Sequence, residues 1–199
     1  MKTDLKHRLI EAMFQAIYTK GYHASNLNAI LKELGTSKGG MYHHFSSKKE
    51  LTLAAINQVL NRAIEELWEK PLLEEENEHT LTALTHCIAS YAYLADDKDA
   101  LIKVEFGCPL NNMIQELSGI DEAFSKALQQ VHIKWHEIIV HTLQKAKNRG
   151  ECQSDFDIFS VALFIMSAIE GAISSAKVFQ DISYYTNSTK ELNSYILKL

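Results

Sequence analysis

The sequence predicts an all-α protein, with an N-terminal three-helix unit followed by a C-terminal helical bundle. Only two prolines and eight glycines occur among 199 residues, so few positions interrupt helices. Apolar side chains recur every three or four residues, which is the repeat of an amphipathic helix. No segment is rich in the alternating apolar and polar residues of a half-buried strand.

The first quarter of the chain is expected to hold three helices and the start of a fourth. They cover residues 3–20, 27–34, about 36–43, and from about 47 onward. Glycines at positions 21 and 35 suit the backbone that ends a helix. Residues able to cap the last three helices precede them: Ser25 or Asn26, Thr36 or Ser37, and Ser46 or Ser47. Glu50 stands where a capping box requires a carboxylate.

Further helices are expected to form the rest of the chain. Pro71 and the acidic run at 74–78 indicate a loop after the fourth helix. Helices are then predicted over 79–96, from Pro109 to 117, from Asp121 to 147, from Ser154 or Asp155 to 180, and over 187–199. One face of the helix beginning at Asp121 is apolar: Phe124, Leu128, Val131, Trp135, Ile138 and Thr142.

Charge divides the chain between positions 50 and 51. The formal net charge is -5, but residues 1–50 carry eight Lys/Arg against four acidic groups. A basic head on an acidic body is expected when only one part of a protein meets a polyanion. Three scattered cysteines indicate a reducing compartment. The apolar run Ile158–Ile169 is too short to span a bilayer. We expect a cytoplasmic protein with no membrane partner.

Residues 36–50 read Thr-Ser-Lys-Gly-Gly-Met-Tyr-His-His-Phe-Ser-Ser-Lys-Lys-Glu and follow a short helix closely. That spacing is typical of a helix-turn-helix, whose second helix enters the major groove of DNA. Helix N-termini at Ser25, Asn26 and Ser37 suit phosphate binding. Lys38 and Met41 are expected to reach base edges, and Gly39 and Gly40 to allow close approach. Tyr42, His43 and Lys48 are expected to contact phosphates.

A second interpretation makes Tyr42, His44 and Phe45 core residues of a small three-helix unit. We favour a core position for Phe45, and DNA contact for Ser37, Lys38 and Tyr42.

Residues 9–53, including Lys-Gly-Tyr-His-Ala-Ser and Leu-Gly-Thr-Ser-Lys-Gly-Gly-Met-Tyr-His-His-Phe, resemble the DNA-binding domain of the TetR family of transcriptional repressors. The resemblance implies a homodimer with a DNA-binding domain at 1–50 and a ligand-binding and dimerisation domain at 51–199. It also implies operator contact by the residues that match the family motif: Ser37, Gly39, Gly40, Tyr42, His43 and Lys48. A threonine is frequent in the family where Ser25 or Asn26 stands.

A dimer interface is predicted on the helix from 155 to 180, which is apolar nearly all round and rich in small residues in its second half. The alternative is the central helix of a monomer. The interface is assigned to this helix and the one beginning at Asp121: Phe124, Leu128, Ile165, Ile169, Ala172 and Ile173.

Effector residues carry a weaker signal, because each is also a common core residue. The candidates for a pocket that binds a small-molecule effector are Tyr91, Phe106, Cys108, Met113, Trp135, Phe164 and Met166. Glu170, on the same apolar helix, is either an effector group or a polar contact at the dimer interface. Cys108 precedes a helix N-terminus, which lowers the pKa of a thiol, so it is either a sensor of oxidants or electrophiles or a small buried side chain.

His132 and His136 are spaced to share a metal, but no third ligand is evident, so no metal site is predicted. The chain also lacks a nucleophile elbow, a phosphate-binding loop and an HExxH motif. We therefore expect no enzyme and no cofactor. The sequence favours a repressor that binds a palindromic double-stranded operator and is released by an effector. The alternatives are a regulator that senses oxidants or electrophiles through Cys108, an activator, a regulator without a ligand, and a helical protein-interaction module.

Overall fold

A computed structural model describes residues 4–74, 76, 78–94, 102–153 and 155–199. Its α-helices are α1 Leu5–Lys20, α2 Leu27–Glu33, α3 Lys38–Tyr42, α4 Lys48–Ala55, α5 Asn61–Ile64, α6 Thr80–Leu94, α7 Pro109–Leu117, α8 Glu122–Asn148, α9 Ile158–Phe179 and α10 Ser183–Ile196. Two π-helical segments, Ile56–Leu60 and Glu65–Glu74, flank α5. Within the described residues, extended backbone pairs only in an isolated bridge between Lys103 and Gly107. The all-α prediction is confirmed.

The first compact unit combines the chain up to Arg62 with Pro109–Val131. In it α1 packs against α2, α4 and α7, and α2 packs against α3. Its fully buried side chains include residues of α1, α3, α4 and α7: Leu9, Met13, Phe14, Met41, Leu51, Ala55 and Leu117. This packing unit extends past residue 50, whereas the predicted boundary between 1–50 and 51–199 separates functions and stays a prediction.

The helix that begins at α4 continues through Pro71 to Glu74, so the loop predicted at Pro71 is wrong. Proline cannot donate the helical hydrogen bond, but its neighbours Trp68 and Leu72 are buried and hold these turns by packing. The buried positions recur every four residues: Ile56, Leu60, Ile64, Trp68 and Leu72. Alternating α- and π-helical turns widen the repeat beyond the 3.6 residues of a regular α-helix, so the buried face continues to Trp68 and Leu72.

The second compact unit combines Ala63–Cys108 with His132–Leu199. Here α6 packs against the π-helical segment Glu65–Glu74 and against α10, and α10 packs along α9. The buried Tyr185 hydroxyl donates a hydrogen bond to the carbonyl of Ile88 at 2.6 Å. Burial raises the pKa of that phenol. The rings of Trp68 and Trp135 lie 5.2 Å apart between centroids.

The start of α9 differs from the prediction. Asp157 caps the helix by accepting the N–H of Ser160 at 2.7 Å, while Asp155 pairs with Lys147 at 2.9 Å. Ser154, the other predicted cap, lies outside the described residues. The last helix begins at Ser183 and not near 187. Residues 95 and 96 of the helix predicted over 79–96 are also outside the described part of the chain.

The predicted dimer residues are core residues of the single chain, which corrects their assignment. All six are buried: Phe124, Leu128, Ile165, Ile169, Ala172 and Ile173. The opposite side of α9 carries large apolar side chains that are exposed: Phe159, Leu163, Phe164, Val178 and Phe179. A helix that is apolar all round buries one face within its own chain and leaves the other face bare, and the sequence repeat alone does not say which.

By length and composition alone, the 22-residue helix α9 is long and apolar enough to cross a membrane. The run Ile158–Ile169 is by itself too short for a span, as expected, and only the whole helix Ile158–Phe179 reaches the necessary length. A core helix of a soluble protein has the same properties, so this observation is weak evidence for a span.

Candidate nucleic-acid interface

A turn at Gly35 and a cap at Ser37 position the short helix α3. Gly35 has a φ of +65°, a conformation that glycine adopts without strain. The Ser37 hydroxyl oxygen accepts the N–H of Gly40 at 3.2 Å, so Ser37 and not Thr36 is the cap. This oxygen serves the helix as an acceptor, and the hydroxyl hydrogen remains a donor suited to a phosphate oxygen.

The two sides of α3 differ sharply in exposure. Met41 is 0% exposed and Phe45 is 3% exposed, four residues apart on the inward side. Tyr42 is 54% exposed, and Lys38 and His43 are also on the surface. The core position expected for Phe45 is confirmed. The expectation that Met41 reaches base edges is corrected, because its side chain fills the core of the first unit.

The two adjacent glycines of α3 have different surroundings. A Cβ added at Gly40 would lie 2.5 Å from the Thr36 hydroxyl oxygen, so internal packing restricts this position. At Gly39 the nearest atom would be the Ser37 hydroxyl oxygen at 3.6 Å, an ordinary contact. The contact with Thr36 therefore gives a structural reason for glycine at position 40, whereas the exposed Gly39 has no such close contact.

The turn between α1 and α2 holds two residues that the sequence assigned to DNA contact. Ser25 is buried, and its hydroxyl donates to the Gly21 carbonyl at 2.6 Å. Asn26 is exposed and caps α2 by accepting the N–H of Ala29 at 3.2 Å. The assignment of Ser25 to the contact surface is therefore corrected, whereas Asn26 lies on the surface.

Lys48 is directed into the same turn. Its ammonium donates to the carbonyl of Ser25 at 2.7 Å and to that of Tyr22, and lies 4.3 Å from the centroid of the Tyr22 ring. Burial lowers the pKa of this ammonium, and the negative charge of Glu116 opposes the shift. The expectation that Lys48 contacts a phosphate is therefore corrected, because its ammonium binds backbone carbonyls of the protein itself.

Other cations of this region have different surroundings. Lys49 pairs with Asp121 at 2.6 Å, and Arg8 donates to the Leu34 carbonyl at 3.0 Å. Lys38 is exposed, and no ion pair to it occurs in the part of the chain that the structure describes. The outward side of α3 consequently combines one available ammonium, a phenol and an imidazole, which donate to phosphates and base edges.

Sequence reasoning missed Glu116 of α7. Its carboxylate accepts the N–H of Tyr22 at 2.8 and 2.9 Å, and that of His23 at 3.4 Å. These residues are separated by more than 90 positions, so no local spacing could indicate the contact. In the structure, Gly21 leaves room for this contact, because a Cβ there would lie 3.0 Å from a Glu116 oxygen.

The candidate effector residues do not all lie in one unit. Met113 is buried in the first unit, and the others belong to the second. Phe164 is 52% exposed and packs edge-on against Tyr195, so its assignment to an interior pocket is corrected. Tyr91 and Trp135 are buried, and the Tyr91 and Tyr185 rings lie 4.5 Å apart. Glu170 is half-buried on α9. The remaining candidates are Phe106, Cys108 and Met166.

Histidine and cysteine side chains form no metal-ligand cluster among the described residues. His132 and His136 lie on α8, where burial lowers the pKa of His132 and the charge of His136 acts in the same direction. Cys108 lies directly before α7 and is half-buried. Cys87 and Cys152 are half-buried as well.

Comparisons with known proteins agree with this geometry. A family model described as bacterial regulatory proteins, tetR family, matches residues 9–55, and one described as tetracyclin repressor-like, C-terminal domain, matches residues 80–192. A crystal structure of a TetR transcriptional regulator from Chloroflexus aurantiacus J-10-FL has a TM-score of 0.83 at 24% identity, covering 96% of this chain and 93% of that one. That likeness shows the fold.

Relatives extend the match over nearly the whole chain. An uncharacterised HTH-type transcriptional regulator from the lacX 3' region of Lactococcus lactis subsp. lactis is 32% identical over 90% of this chain and 87% of its own length. The transcriptional regulator AcuR of Cereibacter sphaeroides is 27% identical, over 88% of this chain and 78% of its own. Such relatives are regulators of transcription and not enzymes. The chain belongs to the TetR family of helix-turn-helix transcriptional regulators.

Proposed function

We propose that this regulator is a cytoplasmic repressor that binds a palindromic double-stranded operator as a homodimer and is released by a small-molecule effector. The observation that carries the proposal is the outward side of α3, where Lys38, Gly39, Tyr42 and His43 are exposed next to the buried Met41. A recognition helix needs this division, because one side must anchor it while the other meets the groove.

The dimer is proposed to form through the exposed apolar side of α9 together with α10. Phe159, Phe164 and Val178 on α9, and Tyr195 and Leu197 near the end of the chain, are exposed in the single chain. Large apolar side chains concentrated on two adjacent helices favour a partner. We commit to a second copy as that partner, because two recognition helices about 34–36 Å apart read successive major-groove faces of a palindrome.

The effector is proposed to bind in the second unit near Tyr91, Phe106, Trp135 and Met166. Trp135 is 3% exposed, and its indole N–H finds no acceptor among the described residues. A buried donor without an acceptor costs free energy, which a polar atom of an effector would recover. The two DNA-binding domains of the dimer are proposed to adopt two separations, of which one fits the operator. An effector that binds the other state more tightly shifts the population toward it and lowers operator affinity.

The chain carries its own reporter of effector binding. Both of its tryptophans, Trp68 and Trp135, are in the second unit, 5.2 Å apart. We expect an effector to change the intrinsic tryptophan fluorescence. The substitution Trp135→Phe should lower the affinity for the effector more than the affinity for the operator. A compound that releases DNA equally from wild type and Trp135→Phe would contradict the assignment of Trp135.

A selection of random duplexes with purified full-length protein tests operator binding. We expect an enriched inverted repeat with half-sites about one helical turn apart. Protein that retains no duplex at low ionic strength would overturn the proposal, and enrichment of an asymmetric single site would overturn the homodimeric mode. Once a duplex is selected, Lys38→Ala should reduce the magnitude of the log–log salt slope by about 2, because a homodimer loses one phosphate contact in each half-site. Lys126→Ala, which removes a surface cation paired with Glu122, is the control and should leave the slope unchanged.

The second candidate is release of DNA by oxidants or electrophiles through Cys108. It is supported by the place of this half-buried thiol immediately before the N-terminus of α7, whereas Cys87 lies within α6 and Cys152 between α8 and α9. Cys108→Ser is expected to abolish release by an electrophile such as a maleimide, whereas Cys87→Ser and Cys152→Ser preserve it. Cys152 is a matched control because burial raises the pKa of its thiol. If maleimide never releases DNA from the wild type, this candidate fails.

A further inference from the structure

We infer that Glu116 and Lys48 are positioning residues that clamp the turn between α1 and α2 and thereby set the placement of the recognition helix. This inference rests on the proposed DNA binding. The clamped segment is residues 21–25, called here the α1–α2 turn. Its N–H groups are bound by a carboxylate carried on α7, and its carbonyl groups by an ammonium at the start of α4.

The two charges divide the backbone groups of the turn between them. The Glu116 carboxylate accepts the N–H groups of Tyr22 and His23, with distances of 2.8 and 2.9 Å to Tyr22. The Lys48 ammonium donates to the carbonyls of Tyr22 and Ser25. Charge-assisted hydrogen bonds are shorter and stronger than neutral ones, so the turn is held in one conformation.

Gly21 is shaped for this contact. Its φ is +83°, and a Cβ would lie 3.0 and 3.1 Å from the two Glu116 oxygens. Any larger residue would therefore be strained by the positive φ, and the carboxylate would have to shift by a few tenths of an ångström. A Gly21 that served only to end α1 would need the positive φ but not the open space that the carboxylate occupies.

Side-chain contacts reinforce the clamp. The Tyr22 ring packs edge-on against Phe124 at 5.3 Å and lies beneath the Lys48 ammonium. Ser25 closes the turn through its hydrogen bond to the Gly21 carbonyl. Since α2 begins directly after the turn and packs against α3, the conformation of the turn decides where the recognition helix lies relative to α1.

Because of the clamp, a displacement of α7 is expected to change the affinity for DNA. Glu116 is the point at which α7 binds the backbone ahead of α2, so a displacement of α7 relative to α1 removes the acceptor for two N–H groups. The turn would then relax, and the recognition helix would lose its fixed position. Signals that move α7 need no contact of their own with DNA.

The test compares Glu116→Ala and Lys48→Met with the control Glu122→Gln, which alters an exposed carboxylate on α8 paired with Lys126. All proteins are full-length, and affinity for the selected duplex is measured by fluorescence anisotropy below the unfolding transition. We expect Glu116→Ala to weaken binding by about tenfold, as the loss of charge-assisted hydrogen bonds predicts. Amide exchange at Tyr22 and His23 should accelerate in this variant, and the control should change neither readout.

A double-mutant cycle separates positioning from general destabilisation. Glu116→Ala and Lys48→Met should together weaken binding less than the product of their separate factors, because both hold one turn. Unchanged affinity in a folded Glu116→Ala protein, or multiplicative effects of the two substitutions, would overturn the clamp. Wild-type protein that binds no duplex at low salt would instead overturn the proposed function. Gly21→Ala is a further variant and should reproduce the accelerated exchange of the Tyr22 and His23 amides.

Discussion

Within residues 36–45, some side chains anchor α3 in the core and others are exposed to solvent. Met41 and Phe45 fill the core, whereas Lys38 and Tyr42 face solvent, and neighbouring positions in the chain therefore have opposite roles. A helix of five residues can achieve this because its side chains diverge by about 100° per residue. For this reason a residue's place within the motif does not decide whether it contacts DNA.

The two glycines of α3 yield a prediction with an internal control. Gly39→Ala should leave the fold intact and raise stability by about 0.5–1 kcal/mol, because alanine favours a helix. The new methyl group faces outward, so affinity for the selected duplex should fall about tenfold. Thermal unfolding and anisotropy measure the two effects.

Gly40→Ala should behave differently, because its Cβ would lie 2.5 Å from the Thr36 hydroxyl oxygen. We expect this substitution to lower the unfolding temperature, and its effect on stability to exceed its effect on affinity for the duplex. A Gly39→Ala protein that binds DNA as well as wild type would show that close approach at this position is not used.

The start of α4 shows a capping box shifted by one residue. Ser47 caps the helix by accepting the N–H of Glu50, but the Glu50 carboxylate reaches back to the N–H and hydroxyl of Ser46, each at 2.6 Å. Two backbone N–H groups are satisfied as in the usual box, with the return bond one residue earlier. The pair joins α3 to the long helix that follows.

This box predicts a pH dependence of stability. Hydrogen bonds from Ser46 lower the pKa of Glu50 below its ordinary value of about 4.3. A depressed carboxylate pKa stabilises the folded state fully above the unfolded pKa, and the stabilisation is lost as pH falls through the lower folded value. Unfolding temperatures of wild type and Glu50→Gln should therefore differ at pH 7 and converge toward pH 3. A constant difference across this range would contradict the role of the ionised carboxylate.

At the scale of the whole molecule, α9 separates a core face from an exposed face. Ile165 and Ile169 are buried within one chain, whereas Phe159 and Phe164 are bare. Phe164→Arg should therefore prevent pairing of two chains without opening the core. We expect sedimentation to give the mass of one chain, 22.6 kDa, and DNA affinity to fall about 100-fold as the two heads lose their linkage.

Tyr42→Ala is the matched control for the dimer. It should remain dimeric while losing affinity for DNA, because Tyr42 lies on α3 and the pairing surface is proposed on α9 and α10. If Phe164→Arg keeps twice the mass of the chain, the exposed side of α9 is not the pairing surface.

Local chemistry made much of this architecture predictable. Most helix boundaries follow from signals that act within a few residues: the caps Asn26, Ser37 and Ser47, the glycine Gly35 and the proline Pro109. The dense motif at 36–50 likewise indicated the helix-turn-helix and the family. Pro71 was the exception, because distant packing of Trp68 and Leu72 outweighed the local preference of proline.

Tertiary structure decided which side of each helix is used. A repeat of apolar residues states that α9 has a face to bury, but it does not say whether Ile165 or Phe164 lies on that face. Likewise, no local pattern could show that Lys48 turns inward or that Glu116, 94 positions after Tyr22, binds the turn before α2. Burial and long-range hydrogen bonds depend on which elements meet in space, and that information exists only once the chain has folded.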